Sequence, residues 1–315
     1  MQTLMESYYW FIVATTITLL ILILLNYPHD TKNHPRGPRP WPLIGNFNLI
    51  GSLPHKSLHK LSQTYGKLMY LKFGSIPIVV ASSPNMAREF LRTHDQIFIS
   101  RPSTAAGKYT AYNYRAVSWA PYGPYWTQGR RIYFNEMLSS NKLGSFEYIR
   151  VEERNFFLSR LHKLSGDPFV LKEQLSRSTL SLISRIVLGR KYLSESEDEK
   201  EILTLEEFQK ILDEWFLLNG VMNIGDWIPW MQFMDLQGFV KRMKALCKRF
   251  DRFLEHVLED HRARIKAEGN SFVKKDMVDS LLKLVDDPNL EVKLDNDSVK
   301  AFIQVIESML ALLCL

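Results

Sequence analysis

Trp126 and Arg130 are the residues whose types and spacing first indicate chemistry. They lie four apart, directly after a stretch in which two prolines and a glycine interrupt regular structure. On a helix, residues four apart share one face. The indole offers one N–H and the guanidinium five, and neither group accepts a hydrogen bond. Such a face suits a carboxylate or a phosphate, while an arginine stacked on a surface tryptophan is the competing interpretation.

The composition and the charge distribution limit the kinds of protein to which this pair can belong. A chain of 315 residues with 46% hydrophobic content can bury a large core. Its two cysteines provide neither a disulfide framework nor metal-ligand spacing. The net charge is +6, and residues 31–88 contain lysines and arginines but no acidic residue. This run favours contact with a membrane surface over nucleic acid, and we expect no nucleic-acid partner.

The segment that precedes this basic run predicts a membrane anchor. Residues 8–27 carry no charged side chain, and a segment of this length is about what a helix needs to cross a bilayer. Aromatic residues flank the segment at both ends. A cleaved signal peptide is the alternative, but the apolar run is too long for one and lacks a small-residue cleavage site. The basic downstream flank predicts a single-pass protein whose body lies on the cytosolic side.

The body should open with a stiff proline-rich hinge and a helix–hairpin–helix unit. Four prolines occur in residues 35–46. Pro54–Tyr65 is expected to be a helix that ends at Gly66, and Leu68–Phe73 and Ile76–Ala81 are expected to form a hairpin. Ser83 should cap a helix that runs to about His94. His55 and His59 have the spacing of a metal pair, but without a third ligand we predict no metal site.

Residues 98–119 form an aromatic stretch without helical or strand periodicity. A loop of this length in a compact domain is usually functional or disordered, and its aromatic content favours a binding wall. Further amphipathic helices are predicted at 142–163, 171–188, 205–218, 239–266 and 276–285. A last helix should be capped by Asp297 or Ser298.

The chain resembles a microsomal cytochrome P-450 of the plant type. The resemblance lies in the order and spacing of five features: the anchor, the hinge, the hairpin, the motif Ser100-Arg101-Pro102 and the Trp126-x-x-x-Arg130 helix. The resemblance implies a mainly α fold with a small β-sheet, namely the amino-terminal part of the cytochrome P-450 fold behind a single transmembrane helix. It also implies a haem cofactor, whose propionates Trp126, Arg130 and Arg101 would hold. The aromatic loop would be the first substrate-contacting segment. The implied substrate residues are Thr104, Tyr112, Tyr114, Val117, Leu218 and Met222.

An apolar segment at residues 220–238 has two interpretations. Trp227, Trp230 and Phe233 give it a composition unusual for a polar loop, and we expect it to be non-helical. It either caps the core or, as the resemblance implies, covers the substrate pocket and dips into the membrane.

The resemblance weakens after Gln304. Residues 305–315 lack the glycine and the acid–threonine pair of the family's oxygen-activating helix, and Cys314 lacks the surroundings of an iron ligand. We therefore expect an anchor at 1–30, a hinge at 31–53, the amino-terminal portion of a monooxygenase domain at 54–304 and a non-matching tail. No catalytic or metal-ligating residue is assigned, and the iron ligand of the haem is expected to be absent from this chain.

Two functions follow from the resemblance. The first is an endoplasmic-reticulum monooxygenase that inserts one oxygen atom from O₂ into a small lipophilic molecule, with electrons from an NADPH-dependent flavoprotein reductase. By itself this chain is expected to be inactive. The alternative is a non-catalytic, membrane-tethered truncated relic or partner-binding protein.

Overall fold

The computed structural model describes residues 2–25, 34–190, 193–194 and 203–312. Three features of the sequence lie outside these ranges: the end of the predicted anchor, the charged stretch at residues 195–201, which contains five acidic side chains, and Cys314. Among the helices that these ranges contain, none combines the length and the apolar character needed to cross a bilayer.

The chain is mainly helical with small sheets, as the sequence predicts. The elements in chain order are α1 Gln2–Leu25, α2 Pro54–Tyr65, β1 Leu68–Phe73, β2 Ile76–Ala81, α3 Pro84–Arg88, α4 Asp95–Phe98, α5 Ala105–Thr110, α6 Pro124–Ile132, α7 Ser140–Ser145, α8 Glu147–Lys163, α9 Leu171–Leu188, β3 Leu193–Ser194, β4 Leu203–Thr204, α10 Leu205–Gly220, α11 Ile224–Trp227, α12 Phe239–Glu268, α13 Met277–Val285 and α14 Asn296–Leu312. Two π-helical segments, Glu89–Thr93 and Tyr133–Met137, extend α3 and α6.

The elements belong to two compact units. Unit 1 comprises residues 1–98 and 224–234, and unit 2 comprises residues 99–223 and 235–315. The small β3–β4 pair in unit 2 is parallel.

The antiparallel hairpin of β1 and β2 organises unit 1, and both strands have the predicted bounds. Met69, Leu71 and Phe73 alternate with less buried residues along β1. The proline-rich hinge is tied to this strand, because the Tyr70 N–H donates to the Arg36 carbonyl at 3.1 Å. The side chain of Asn46 is buried, and its oxygen accepts the Lys72 N–H at 2.9 Å. The hinge thus continues the sheet edge.

The apolar segment at residues 220–238 is partly helical, so the expectation of a non-helical stretch is wrong. It contains α11 and a 3-10 helix at Pro229–Met234. Trp227 packs edge-on against Phe73, with ring centroids 5.4 Å apart, whereas Trp230 and Phe233 are exposed. The segment therefore packs against the hairpin through Trp227, and its contact with a substrate pocket or with the membrane stays a prediction.

The core of unit 2 is built from the amphipathic helices. Helix α9 contacts α8, α13 and α14, and α12 contacts α5 and α10. Phe250, Phe253 and Phe302 are among its largest fully buried side chains. Helix α9 has the predicted bounds, because Gly189 adopts a left-handed φ of 79° that ends it.

Three local predictions differ from the structure. The helix expected at 142–163 is two helices that meet at Phe146. A short helix, α5, lies inside the aromatic loop, where the Thr104 hydroxyl accepts the Gly107 N–H at 3.2 Å. The last helix begins at Asn296, and Asp295 rather than Asp297 or Ser298 accepts the capping bond, from the Ser298 N–H. Short capping signals fix a helix start only to within a few residues.

Candidate functional site: an anion-binding face on helix α6

Helix α6 carries the Trp126–Arg130 pair. Pro124 occupies its first turn, where a missing N–H costs nothing. Trp126 is only 9% exposed, whereas Arg130 is exposed. The Arg130 guanidinium carbon lies 5.3 Å from the centroid of the Trp126 ring and 5.6 Å from that of Phe134. The helix therefore places both donors on one face, as their spacing predicts.

Stacking leaves the hydrogen-bonding capacity of Arg130 available. The guanidinium N–H groups point outward in its plane, so a ring packed on one face does not block them. Within the described part of the chain, no carboxylate pairs with Arg130. Its neighbour Arg131, by contrast, lies 3.4 Å from a Glu291 oxygen. Arg130 is thus a fixed positive charge that can receive an external anion.

Among the described residues, no contact links Arg101 to this pair. Its Nη1 donates to the Ile99 carbonyl at 2.6 Å, and its side chain is exposed. It lines a cavity of about 440 Å³ in unit 2, together with Tyr114, Arg115 and Tyr125. Neither Trp126 nor Arg130, among the described residues, lines that cavity.

The aromatic loop has an unusual backbone. Tyr112, Asn113 and Tyr114 adopt positive φ angles of 48°, 54° and 65°. A left-handed backbone conformation costs residues other than glycine about 1–2 kcal/mol each. The Tyr114 hydroxyl donates to the Thr104 carbonyl at 3.0 Å and the Tyr112 hydroxyl to Asp251 Oδ1 at 3.3 Å. These two bonds tie the strained turn to its surroundings.

Asp251 is a residue that the sequence analysis did not single out. Its Oδ1 also accepts from Lys300 Nζ at 2.6 Å, and Lys300 in turn contacts Glu255. Burial first, and then the negative charges nearby, raises the pKa of the Tyr112 phenol. The phenol therefore remains a proton donor. Asp251 and Tyr112 are 139 residues apart in the chain, so no local signal could have revealed their contact.

Gly129 allows the close approach of the loop and of α14 to α6. A Cβ at this position would lie 2.7 Å from Val117 Cγ2 and 3.1 Å from Phe302 Cζ. Val117, one of the predicted substrate residues, therefore packs directly against the helix that carries Trp126 and Arg130. A glycine in the middle of a helical pattern is the signal that could have identified this contact.

Two further predicted substrate residues lie near the end of α10. Leu218 is fully buried in the core of unit 2, and the Met222 carbonyl accepts a bond from the Gln237 side chain at 3.2 Å. Substrate contact by these two residues, and by the four in the loop, stays a prediction.

Buried polar contacts fix the surroundings of α6. Gln128 is 3% exposed, and its amide both donates to and accepts from the backbone of Val292, at 2.6 and 2.9 Å. The Tyr125 hydroxyl donates to the Arg115 carbonyl at 2.8 Å, and burial raises the pKa of Tyr125 to about 12. Arg115 forms ion pairs with Asp295 and Asp297 at the start of α14. Neither Gln128 nor Arg115 belongs to a motif that the sequence reveals, because their partners lie far away along the chain.

Comparison with known proteins decides the family. The family model described as "Cytochrome P450" matches residues 35–311. The chain belongs to the cytochrome P450 family. The plant cytochrome P-450 resemblance inferred from the hinge and the Trp126–Arg130 motif is therefore confirmed, and the matched range continues past Gln304.

The relatives of this cytochrome P450 chain include several plant enzymes. It is 38% identical to trimethyltridecatetraene synthase of Zea mays, over 93% of this chain and 56% of the relative. It is 36% identical to flavonoid 3'-monooxygenase of Petunia hybrida, over 85% and 52%, and 37% identical to dimethylnonatriene synthase of Zea mays, over 86% and 53%. The chain spans about half the length of the curated relatives it matches.

The family implies a haem–iron cofactor, and the α6 face fits the carboxylates of such a group. The side chains of Trp126 and Arg130 on this face only donate hydrogen bonds. Arg130 has no carboxylate partner among the described residues, and its guanidinium stacks on the nearly buried indole of Trp126. Charge-assisted bonds from a guanidinium to a carboxylate are among the strongest polar contacts in proteins.

Proposed function

We propose that the protein of which this chain forms part is a membrane-bound cytochrome P450 monooxygenase that adds one oxygen atom from O₂ to a small lipophilic plant metabolite. Membership of the family supports the reaction class. The observation that carries the proposal is the guanidinium of Arg130, which stacks on Trp126 of α6 and has no carboxylate partner among the residues that the structure describes. Bound haem would supply the redox chemistry of the reaction.

The role of this chain's residues is to hold and orient that group. The Trp126 N–H and the Arg130 guanidinium would each donate to a haem carboxylate, and Arg101 would provide a third donor. Helix α6 is well placed to do so, because Gln128 and Gly129 lock it against neighbouring segments. Residues Thr104, Tyr112, Tyr114 and Val117 would form one wall of the substrate pocket, with Leu218 and Met222 at another.

The family and the sequence also support a location and a partner for this protein. The apolar segment at 8–27 would anchor the chain in the endoplasmic-reticulum membrane, with the body on the cytosolic side. The exposed Trp230 and Phe233 would add an apolar contact with the lipid. Electrons would come from an NADPH-dependent flavoprotein reductase.

Haem titration of the full chain tests the role of Arg130 without depending on turnover. Arg130→Gln should weaken the binding of haem about tenfold, because it removes a charge-assisted bond to a carboxylate. It should not change the binding of haem dimethyl ester, which lacks the carboxylate charges. Trp126→Phe, which retains a ring but loses the N–H, should act in the same direction.

Arg131→Gln is the matched control, since Arg131 is adjacent, exposed and already paired with Glu291. Equal binding of haem and of its dimethyl ester by the wild-type chain would contradict the assignment of this face. The reaction itself is tested by supplying reductase, NADPH and isotopically labelled O₂ with lipophilic plant metabolites, and by looking for one labelled oxygen in a product.

A further inference from the structure

Helix α12 has two chemically opposite faces in its first half. The buried face contains Met243, Leu246 and Phe250, each no more than 3% exposed. The opposite face carries Lys241, Lys244, Lys248 and Arg252, all exposed, which we call the α12 basic face. With 3.6 residues per turn, these four cations fall within an arc of about 80°.

In the described part of the chain, none of the four side chains of the α12 basic face forms an ion pair. Arg242, on the flank, does pair with Glu214 at 3.1 Å. Asp251 and Glu255 are the two carboxylates in residues 239–258, and both pair with Lys300. Positive charge therefore accumulates on this face.

A second element enlarges the positive surface. Lys244 Nζ lies 4.9 Å from the centroid of the Tyr109 ring, and Lys108 Nζ of α5 lies 5.4 Å from the same centroid. Two lysines from different helices thus contact the same aromatic ring. A cluster of this kind repels other cations and attracts a surface that carries many negative charges.

The arrangement matches a layer of phospholipid headgroups better than a single small anion. The four cations form a row about 16 Å long, calculated from the 1.5 Å rise per residue. A row of basic residues on an exposed helix face is typical of segments that lie at the surface of an anionic membrane.

We propose that the α12 basic face binds the headgroups of anionic phospholipids. The inference rests on the membrane location given under the proposed function, and it adds a lipid preference that neither an apolar anchor nor an apolar loop provides. Lys241, Lys244 and Lys248 supply the charge, and each basic residue near an anionic surface contributes about 1 kcal/mol.

Lysine footprinting of the full chain in nanodiscs tests this proposal. The chain is reconstituted in nanodiscs of phosphatidylcholine alone or of phosphatidylcholine with phosphatidylserine, and its exposed amines are acetylated and quantified by mass spectrometry. Lys241, Lys244 and Lys248 should react about three- to tenfold more slowly in the anionic discs. High salt should remove the difference, because it screens charges at the surface.

Three exposed lysines elsewhere in unit 2 serve as internal controls: Lys163, Lys172 and Lys283. Their reactivity should be the same in both kinds of disc. As a matched pair of variants, Lys241→Gln/Lys244→Gln/Lys248→Gln should abolish the preference for anionic over neutral vesicles in a competition assay. Lys163→Gln/Lys172→Gln/Lys283→Gln removes the same charge and should retain the preference.

The outcomes separate this proposal from the membrane location on which it rests. Incorporation into both discs with equal labelling of the basic face would overturn the lipid preference alone. Failure to associate with either bilayer would overturn both proposals. Protection that appears only when an acidic protein is added would assign the face to a protein partner and overturn the lipid proposal.

Discussion

His261 illustrates how a single buried residue links stability to pH. It is 1% exposed on α12, where Nδ1 faces the Val257 carbonyl at 2.7 Å and Nε2 faces Asp276 Oδ2 at 3.2 Å. Only the imidazolium can donate to both acceptors. Burial alone would lower the pKa of His261, but the bond to Asp276 and its charge raise the pKa above the ordinary value of 6.5.

This shift predicts a loss of stability at alkaline pH. A raised pKa in the folded state contributes stability that is complete below about pH 6.5, the unfolded value, and that is lost as the pH rises through the folded value. The free energy of unfolding should therefore fall from pH 6.5 upward, as measured by urea denaturation in detergent. His261→Gln should abolish this part of the slope, whereas the exposed His162→Gln should retain it. An unchanged slope in His261→Gln would rule out this origin.

At the scale of the elements, the end of α9 at Gly189 closely approaches the start of α13 at Asp276. Its φ is 79°, and a Cβ there would lie 2.2 Å from Asp276 Oδ2. Asp276 cannot easily move away, because it caps α13 through the Asp279 N–H at 2.8 Å and also pairs with His261 and Arg264.

Gly189→Ala should consequently lower the free energy of unfolding by about 2–4 kcal/mol, from backbone strain and the clash with Asp276. Gly144→Ala is the contrasting substitution. Gly144 lies within α7, and a Cβ at this position would meet nothing within 4 Å. It should raise the free energy of unfolding by about 0.5–1 kcal/mol. Chemical denaturation of both variants measures the difference, and equal effects would refute the steric account.

For the molecule as a whole, Phe302 is the side chain on which the helices around the candidate site converge. It is fully buried, its ring lies 5.1 Å from that of Tyr133, and its carbonyl accepts the Tyr133 hydroxyl at 2.9 Å. The same ring opposes Gly129 on α6. Packing in the core of unit 2 and the position of the anion-binding face therefore depend on one residue of α14.

Phe302→Ala should lower the free energy of unfolding by about 3–5 kcal/mol, because it leaves a cavity where the surrounding helices cannot fully collapse. Phe233→Ala is the control, since Phe233 is 83% exposed and its removal should change the value by less than about 0.5 kcal/mol. Thermal or urea unfolding in the same detergent compares them. Similar losses for the two variants would contradict the central position of Phe302.

The sequence by itself determined the elements whose signals are local. Alternating apolar residues set the β1–β2 hairpin, and Gly66 and Gly189 set the ends of α2 and α9, because these signals act between neighbouring residues. The pairing of Trp126 with Arg130 on one face followed from helical periodicity in the same way.

Only the tertiary structure decided which distant groups meet. Whether Tyr112 faces a ligand or the carboxylate of Asp251 depends on α12, which is more than a hundred residues away. The division of the apolar segment into a packed Trp227 and an exposed Phe233 depends on contact with the hairpin. The physical reason is that such contacts gain their energy from burial and charge pairing, which exist only once the chain has brought both partners together.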